Sequence, residues 1–588
     1  MRKTTAGKQG ATRSSRKRAT ARVPIDAVSL EILWSRLIAV SEEQAAMVLR
    51  TAFSSIVRES YDFTCVLLTP EGDLLAQPFQ SLPGFTRCAS TVMKHFLARW
   101  PKWHPDDVAI TNDPWLAAGH LHDVAIAVPV FHKGKIVAFS ANIAHQADIG
   151  GRGYSADANS IFEEGLALPP MKLYDAGRVV PEVLQIIAEN VRVPDQVLGD
   201  IHAQIGAARV GARRVGELLQ EAGLEDLSVV SEEILSRSEK AMRAAIRRVP
   251  DGVYMNRGIM DGFDEPLVID LKITVKGDRL EFDFEGTSPQ INKGINSCYN
   301  YTYGYAAFAA KAVLEPLIPN NEGAYRPIRM KAPEASLVNS TRPAPGNSRG
   351  RVGHMIVPVV FGALAQAVPD AVPAEAGSPA PRLNFFGPRD DGSEFQCLLI
   401  TSGGLGAARE RDGLAGKSFP TNTKMASLEV MESNAPLRFV RRELVPDSGG
   451  AGRHRGGLAQ ELVVEVLGTK NVYVSTSSER IKNPPIGYRG GHKGGPAALS
   501  KNDAEYLAPK GRTMLRPGET VTVRTPGGGG YGPTGERNRS HVERDLASGY
   551  ITPAAAVRDY GADLPGNVTA TIAIEKVAST AVLREVER

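Results

Sequence analysis

The sequence predicts an α+β fold of several lobes. Three observations carry that expectation. The chain has 588 residues, too many for one compact core. Residues 25–250 read as long amphipathic helices interleaved with short apolar runs. Beyond residue 250 the pattern turns to alternating apolar and polar positions broken by glycine, as antiparallel strands require.

The elements follow in order. "DAVSLEILWSRLIAVSEEQAAMVLRTAFSSIV" keeps Leu30, Leu33, Leu37 and Val40 at helical spacing and reads as one long helix. "FTCVLLT", "VAIAVPVF" and "KIVAFSANI" read as strands, the last two joined by a hairpin turn at "HKGK". Residues 183–248 look helical almost throughout, with Gly223 as a C-cap and a second helix near 228–248. "LVIDLKITVKGDRLEFDFEG" predicts a β-hairpin about "KGD". A helix near 301–316 follows "GINSCYNYT", and the turn-rich 333–350 marks a loop or boundary. "ELVVEVLG", "NVYVSTSS" and "ETVTVRT" supply strands to a glycine-rich end. The division expected is a disordered basic tail at 1–24, an α+β domain at 25–250, a central α+β domain at 251–440 and a β-rich domain at 441–588.

Composition narrows the function. Apolar residues make up 42% and charged residues 23%, as in ordinary soluble globular proteins. The net charge of +4 rests on residues 1–22, which carry eight Lys or Arg and no acid; the body without them is near −4. A nucleic-acid surface is therefore not expected. No run of 18 uncharged apolar residues suggests a membrane span. Cys65, Cys88, Cys298 and Cys397 show no CxxC spacing, which argues against disulfides or a thiolate zinc site and for a reducing, cytoplasmic setting.

Five of the 11 histidines, His104, His120, His122, His132 and His145, fall within 42 residues. His120 and Asp123 stand at the mouth of one strand, and His145 closes the next. If "GHLHD" is a turn, which Gly119 permits, His120 and Asp123 meet. With His145 they make a two-His-one-carboxylate set that suits one divalent ion, Mn, Zn or Fe, and leaves positions open. Asp148 is a candidate fourth ligand or a partner of a ligating histidine. With a metal acidifying water, Asp148 and His122 are the candidate proton acceptors.

"ITNDPWLAAGHLHDVAIAVPVF", "AHQADIGG", "EEGLALPPMKLYDAG", "PNNEGAYRPI" and "DSGGAGRHRGGLAQE", in this order, resemble the hydantoinase B/oxoprolinase family, and the likeness runs from about residue 27 to 565. The resemblance implies a divalent metal on His120, Asp123 and His145. It also implies an A-type, actin-like ATPase partner that uses ATP and Mg, in a hetero-oligomer such as A2B2. The implied reaction is hydrolysis of a cyclic amide or imide, with a carboxylase subunit of the acetone or acetophenone type and a non-catalytic scaffold subunit as rivals. His122 and Gln146 stand where the family usually has proline and histidine, which bears on substrate preference.

Other motifs are weaker. "RDGLAGKS" lacks the first glycine of a phosphate loop, and "GGGGYG" at 527–532 runs straight into Pro533 instead of a helix. Candidate substrate or intermediate contacts are Arg58 in "RESYDF", Asn112 and Asp113 in "TNDPW", and Arg453 and Arg455 in "GAGRHRGG". No GxSxG elbow occurs, so a serine nucleophile is not expected.

Overall fold

The computed structural model describes residues 25–562. The basic tail expected at 1–24 lies outside them. The chain enters α1 (Ala27–Thr51) at Asp26, whose carboxylate accepts from the amides of Val28 and Ser29 at 3.1 and 3.0 Å. The single helix expected here stops at Thr51 and restarts as α2 (Ser55–Arg58). Asp200 causes the break: its Oδ1 accepts from the amides of Phe53 at 2.6 Å and Ser54 at 3.2 Å, which takes the linker out of helical geometry.

Next come β1 (Phe63–Leu68), β2 (Leu74–Ala76), α3 (Pro83–Arg99), β3 (Val108–Thr111), β4 (Asp123–His132), β5 (Lys135–His145), β6 (Met171–Asp175) and β7 (Arg178–Val179). Then α4 (Pro181–Asn190), α5 (Pro194–Glu221) and α6 (Ser228–Ile246) divide the helical stretch in three. Pro194 opens α5, and Gly223, at φ +64°, follows its end. The strands form one antiparallel sheet in the order β2-β1-β5-β4-β3-β6-β7. Both faces of β4 are buried. Val124, Ile126 and Val128 pack with Ile187, Ile201 and Ile205 of α4 and α5, while Ala125 and Ala127 join a core with Phe96 of α3. The two-residue period of a strand puts Asp123 on the face of Ala125 and Ala127.

The chain continues through β8 (Gly252–Met260), β9 (Leu267–Lys276), β10 (Arg279–Asp283), α7 (Tyr299–Leu314), α8 (Glu322–Tyr325), β11 (Ile328–Lys331) and α9 (Gly350–Leu364). Its sheet runs β11-β10-β9-β8, and the "KGD" hairpin is β9–β10. One core extends from Val66 and Phe96 through Ile269, Phe282 and Tyr305 to Val360. The boundary expected at 250/251 therefore separates two segments that share a hydrophobic core.

The last part contains β12 (Arg382–Pro388), β13 (Glu394–Ile400), α10 (Leu428–Asn434), β14 (Leu437–Leu444), β15 (Gln460–Val466), β16 (Val472–Ser477), β17 (Ala498–Lys501), β18 (Glu505–Tyr506), β19 (Lys510–Leu515), β20 (Thr520–Arg524), α11 (Arg539–Ala547) and α12 (Pro553–Tyr560). Two sheets, β13-β12-β16-β19 and β14-β15-β20-β17-β18, face each other over Phe385, Leu399, Leu462, Val464, Val474 and Val523. The boundary expected at 440 falls inside β14, and β12 and β13 already belong to this body. The glycine clusters pack backbone on backbone: the Gly450 amide donates to the Gly528 carbonyl at 2.8 Å, and the Gly528 amide to the Gly457 carbonyl at 2.9 Å. A Cβ on Gly528 would stand 2.0 Å from the Leu405 carbonyl oxygen. "GGGGYG" is thus spent on close packing within the chain. Among the described residues no helix is long and apolar enough to cross a membrane.

Candidate metal centre

β4 and β5 pair in a register that places Asp123 directly opposite His145. Both are odd positions of their strands, so both face the α3 side of the sheet. The turn before β4 carries His120 back over them, with Gly119 at φ +88°. Asn112 holds that turn: its Nδ2 donates to the Leu121 carbonyl at 2.7 Å and the Leu166 carbonyl at 2.9 Å, and its Oδ1 accepts from the Leu168 amide at 2.6 Å. Ligand atoms of His120, Asp123 and His145 lie within 4.8 Å of one another, and all three residues are buried.

The donor set fits a cation. His120 Nδ1 lies 2.8 Å from the Asn347 carbonyl, which can only accept, so Nδ1 carries the ring proton. Nε2 then offers a lone pair. It stands 2.8 Å from Asp123 Oδ1, yet has no hydrogen-bond partner. Two lone pairs at that distance repel unless a positive charge lies between them. Burial, and then the Arg349 charge, push His120 down to about 4, so the ring itself does not supply that charge near neutrality. Burial alone would raise the Asp123 carboxyl, but His120 and Arg349 reverse this and hold it well below the usual range. Two imidazoles and one carboxylate match a borderline divalent ion.

Arg349 braces the carboxylate. Its guanidinium donates to Asp123 Oδ2 and to the Ala118 carbonyl, and lies 4.0 Å from the centre of the Tyr301 ring. The triad lines a cavity with Asp62, Tyr154, Arg351 and Arg382. Burial raises the Asp62 carboxyl, partly offset by His145. The Tyr154 ring stands 6.4 Å from that of His120 and 6.2 Å from that of His145.

His122 is buried and stacks on His145 at 5.0 Å between ring centres. It faces a second cavity with Gln196, Asn384 and Gln396, and burial holds it well below the ordinary histidine range. The Gln146 side chain turns to α5, donating to Gln204 Oε1 at 3.0 Å. Asp148 is not brought to the triad's cavity. Its carboxylate accepts from the Gly150 amide at 3.2 Å, the Arg192 amide at 2.5 Å, Arg192 Nη1 at 2.7 Å and Gln396 Nε2 at 3.0 Å. Arg58 is exposed at the end of α2. Asp113 accepts from the Trp115 amide at 3.0 Å and from Arg342 at 2.6 Å. Arg453 reaches the Arg409 carbonyl at 3.0 Å, and Arg455 pairs with Asp545 at 3.0 Å, inside the C-terminal body and away from the cavity. Asn347, Arg349, Arg351 and Arg382 went unseen in the sequence. The available signal was "NSRGRVGH", two arginines and a histidine at the entrance to an apolar run.

A family model described as hydantoinase B/oxoprolinase matches residues 26–534. The chain belongs to this family. One hydantoinase B/oxoprolinase relative, a putative D-/L-hydantoinase component of Pseudomonas sp. strain NS671, is 34% identical, covering 91% of this chain and 95% of its own. The crystal structure of the ATP-dependent caprolactamase from Pseudomonas jessenii is similar with a TM-score of 0.86 at 26% identity, over 92% of this chain and 97% of that one. A nucleotide-free structure of acetone carboxylase shares the fold, with a TM-score of 0.83 at 17% identity, over 93% of this chain and 83% of that one.

Proposed function

We propose that this hydantoinase B/oxoprolinase-family chain is the metal-bearing subunit of an ATP-dependent enzyme that hydrolyses a small cyclic amide or imide. ATP and Mg are used by an A-type ATPase partner in a cytoplasmic hetero-oligomer. The observation that carries the reading is the lone pair of His120 Nε2 aimed at Asp123 Oδ1 at 2.8 Å inside a buried triad. The names of the relatives support the substrate class, since hydantoin and caprolactam are both cyclic amides.

His120, Asp123 and His145 would hold the ion, which supplies Lewis acidity toward an amide carbonyl and acidifies water. The chain's own groups do the rest. Arg349 fixes the rotamer of Asp123, and the Asn347 carbonyl fixes the tautomer of His120. Asp62 is the proton acceptor in this reading. It lines the cavity, and burial raises its carboxyl toward the range in which a proton is exchanged near neutrality. Asp148, with Arg192 and further donors on it, serves the fold instead. His122, behind His145, acts as packing for that ring.

Metal analysis of the purified chain tests the reading: about one Mn, Zn or Fe is expected per chain, and His120→Ala should abolish it. Turnover of hydantoins or 5-oxoproline with the partner should need ATP and no bicarbonate. Bicarbonate-dependent ATP use would make the complex a carboxylase, and a metal-free wild type would make this chain a scaffold.

A further inference from the structure

Two of the cavity's arginines have no carboxylate to neutralise them. Arg351 is 1% exposed and Arg382 is 7% exposed. Among the described residues, each hydrogen-bonds only to backbone carbonyls: Arg351 to Ala380 and to Ser477 at 3.0 Å, Arg382 to Thr401 at 2.7 Å. Arg351 Nε is buried with no partner at all. The anions nearby are accounted for. Asp123 is taken by Arg349, and Glu479 by Lys510 at 2.8 Å. Asp62 is the one other carboxyl in the cavity, and neither arginine pairs with it. Arg351 also stands in the first turn of the 15-residue α9, whose amide ends add positive potential. A buried guanidinium without an anion is costly, so two side by side mark a place kept for one.

We infer that Arg351 and Arg382 form an anion subsite beside the triad, built for a dianionic phosphoryl group carried by the activated form of the substrate. The inference rests on reading the triad as the reacting centre. The charge count selects the class. Two unneutralised guanidiniums match a phosphoryl dianion, whereas a single carboxylate would leave one uncompensated. Guanidinium forks and phosphoryl oxygens also pair in bidentate, charge-assisted hydrogen bonds. Arg349 stays outside this count because Asp123 holds it.

Inorganic phosphate is the probe. Thermal unfolding and calorimetric titration are run on the full purified chain, both metal-loaded and metal-depleted, at constant ionic strength against chloride and acetate. Phosphate should raise the melting temperature and bind at about one site per chain with or without metal, while chloride and acetate should not. Arg382→Met should weaken phosphate binding tenfold or more, keep its metal, and melt no lower than wild type without phosphate, because a buried unpaired charge has gone. Arg351→Met should do the same to phosphate; Arg382→Met is the cleaner variant, since it releases only one carbonyl. Phosphate affinity unchanged in both variants, phosphate binding lost on metal removal, or an equal response to acetate would each overturn the inference. A wild type that binds phosphate but no metal would instead sink the reading of the triad and leave the anion subsite standing.

Discussion

The proton on His120 Nδ1 decides which nitrogen faces Asp123, and the Asn347 carbonyl decides that proton. Glu164 in turn holds Asn347: its buried carboxyl accepts from the amides of Gly346 at 3.1 Å and Asn347 at 2.7 Å. Glu164→Ala should therefore weaken metal binding by roughly 10- to 100-fold without touching a ligand, as outer partners of a metal site do. Competition with a chelating dye measures it. The metal-depleted protein should also show a pH dependence from His120. Its folded value, about 4, lies below the ordinary 6.5, so the unfolded chain binds the proton more readily between the two. Stability from this group is fully present above pH 6.5 and is lost as pH falls toward 4. The difference between wild type and His120→Asn in denaturant melts should shrink over that window by a few kcal/mol, on the order of 1.4 kcal/mol per pH unit. At this scale the sequence is readable only where partners are close along the chain. HxxD and His145 sit on two successive strands, whereas Asn347 and Arg349 meet His120 and Asp123 from 227 and 226 residues away.

The β4–β5 ladder sets the spacing of the ligands, because a slip of one residue would turn His145 to the opposite face. Two glycines of this region separate fold from site. Gly134 turns the hairpin at φ +76° with nothing near a Cβ, so Gly134→Ala should cost only the left-handed strain, roughly 1–2 kcal/mol, and leave the metal content unchanged. Gly119 sits at φ +88°, and a Cβ there would lie 2.6 Å from Arg349 Cδ. Gly119→Ala should push Arg349 off Asp123 and lower metal occupancy; elemental analysis of the two variants side by side checks the contrast. Strands with one clear alternation, such as β9 and β10, were legible in advance. Helix α9 was not. It is buried nearly all round, so it shows no apolar stripe, and Pro358 within it argues against a helix. The break between α1 and α2 was equally hidden, since Asp200 imposes it from another helix.

Across the whole molecule, the cavity is assembled from segments far apart in the chain: Asp62, the triad and Tyr154 from the first part, Arg349 and Arg351 from the start of α9, Arg382 and Ile400 from β12 and β13. The sequence's change from helical to β pattern suggested a cut at 440, but composition does not report which strands pair. β12 pairs with both β13 and β16, and β14 with β15, so the true seam lies earlier. A chain ending at residue 440 should expose unpaired strand edges and aggregate on expression, in contrast to the full-length protein; soluble yield and gel filtration decide it. Metal loading should raise the melting temperature of the full chain, worth about 2.7 kcal/mol at a hundredfold excess over Kd.

Because β12 and β13 furnish one wall, a ribosome releases His120, Asp123 and His145 long before it releases the residues that roof them over. A cation arriving during synthesis meets three ligands open to water. Only a finished, closed polypeptide offers the dry, positively charged chamber in which bound metal becomes useful, so incomplete products stay chemically idle.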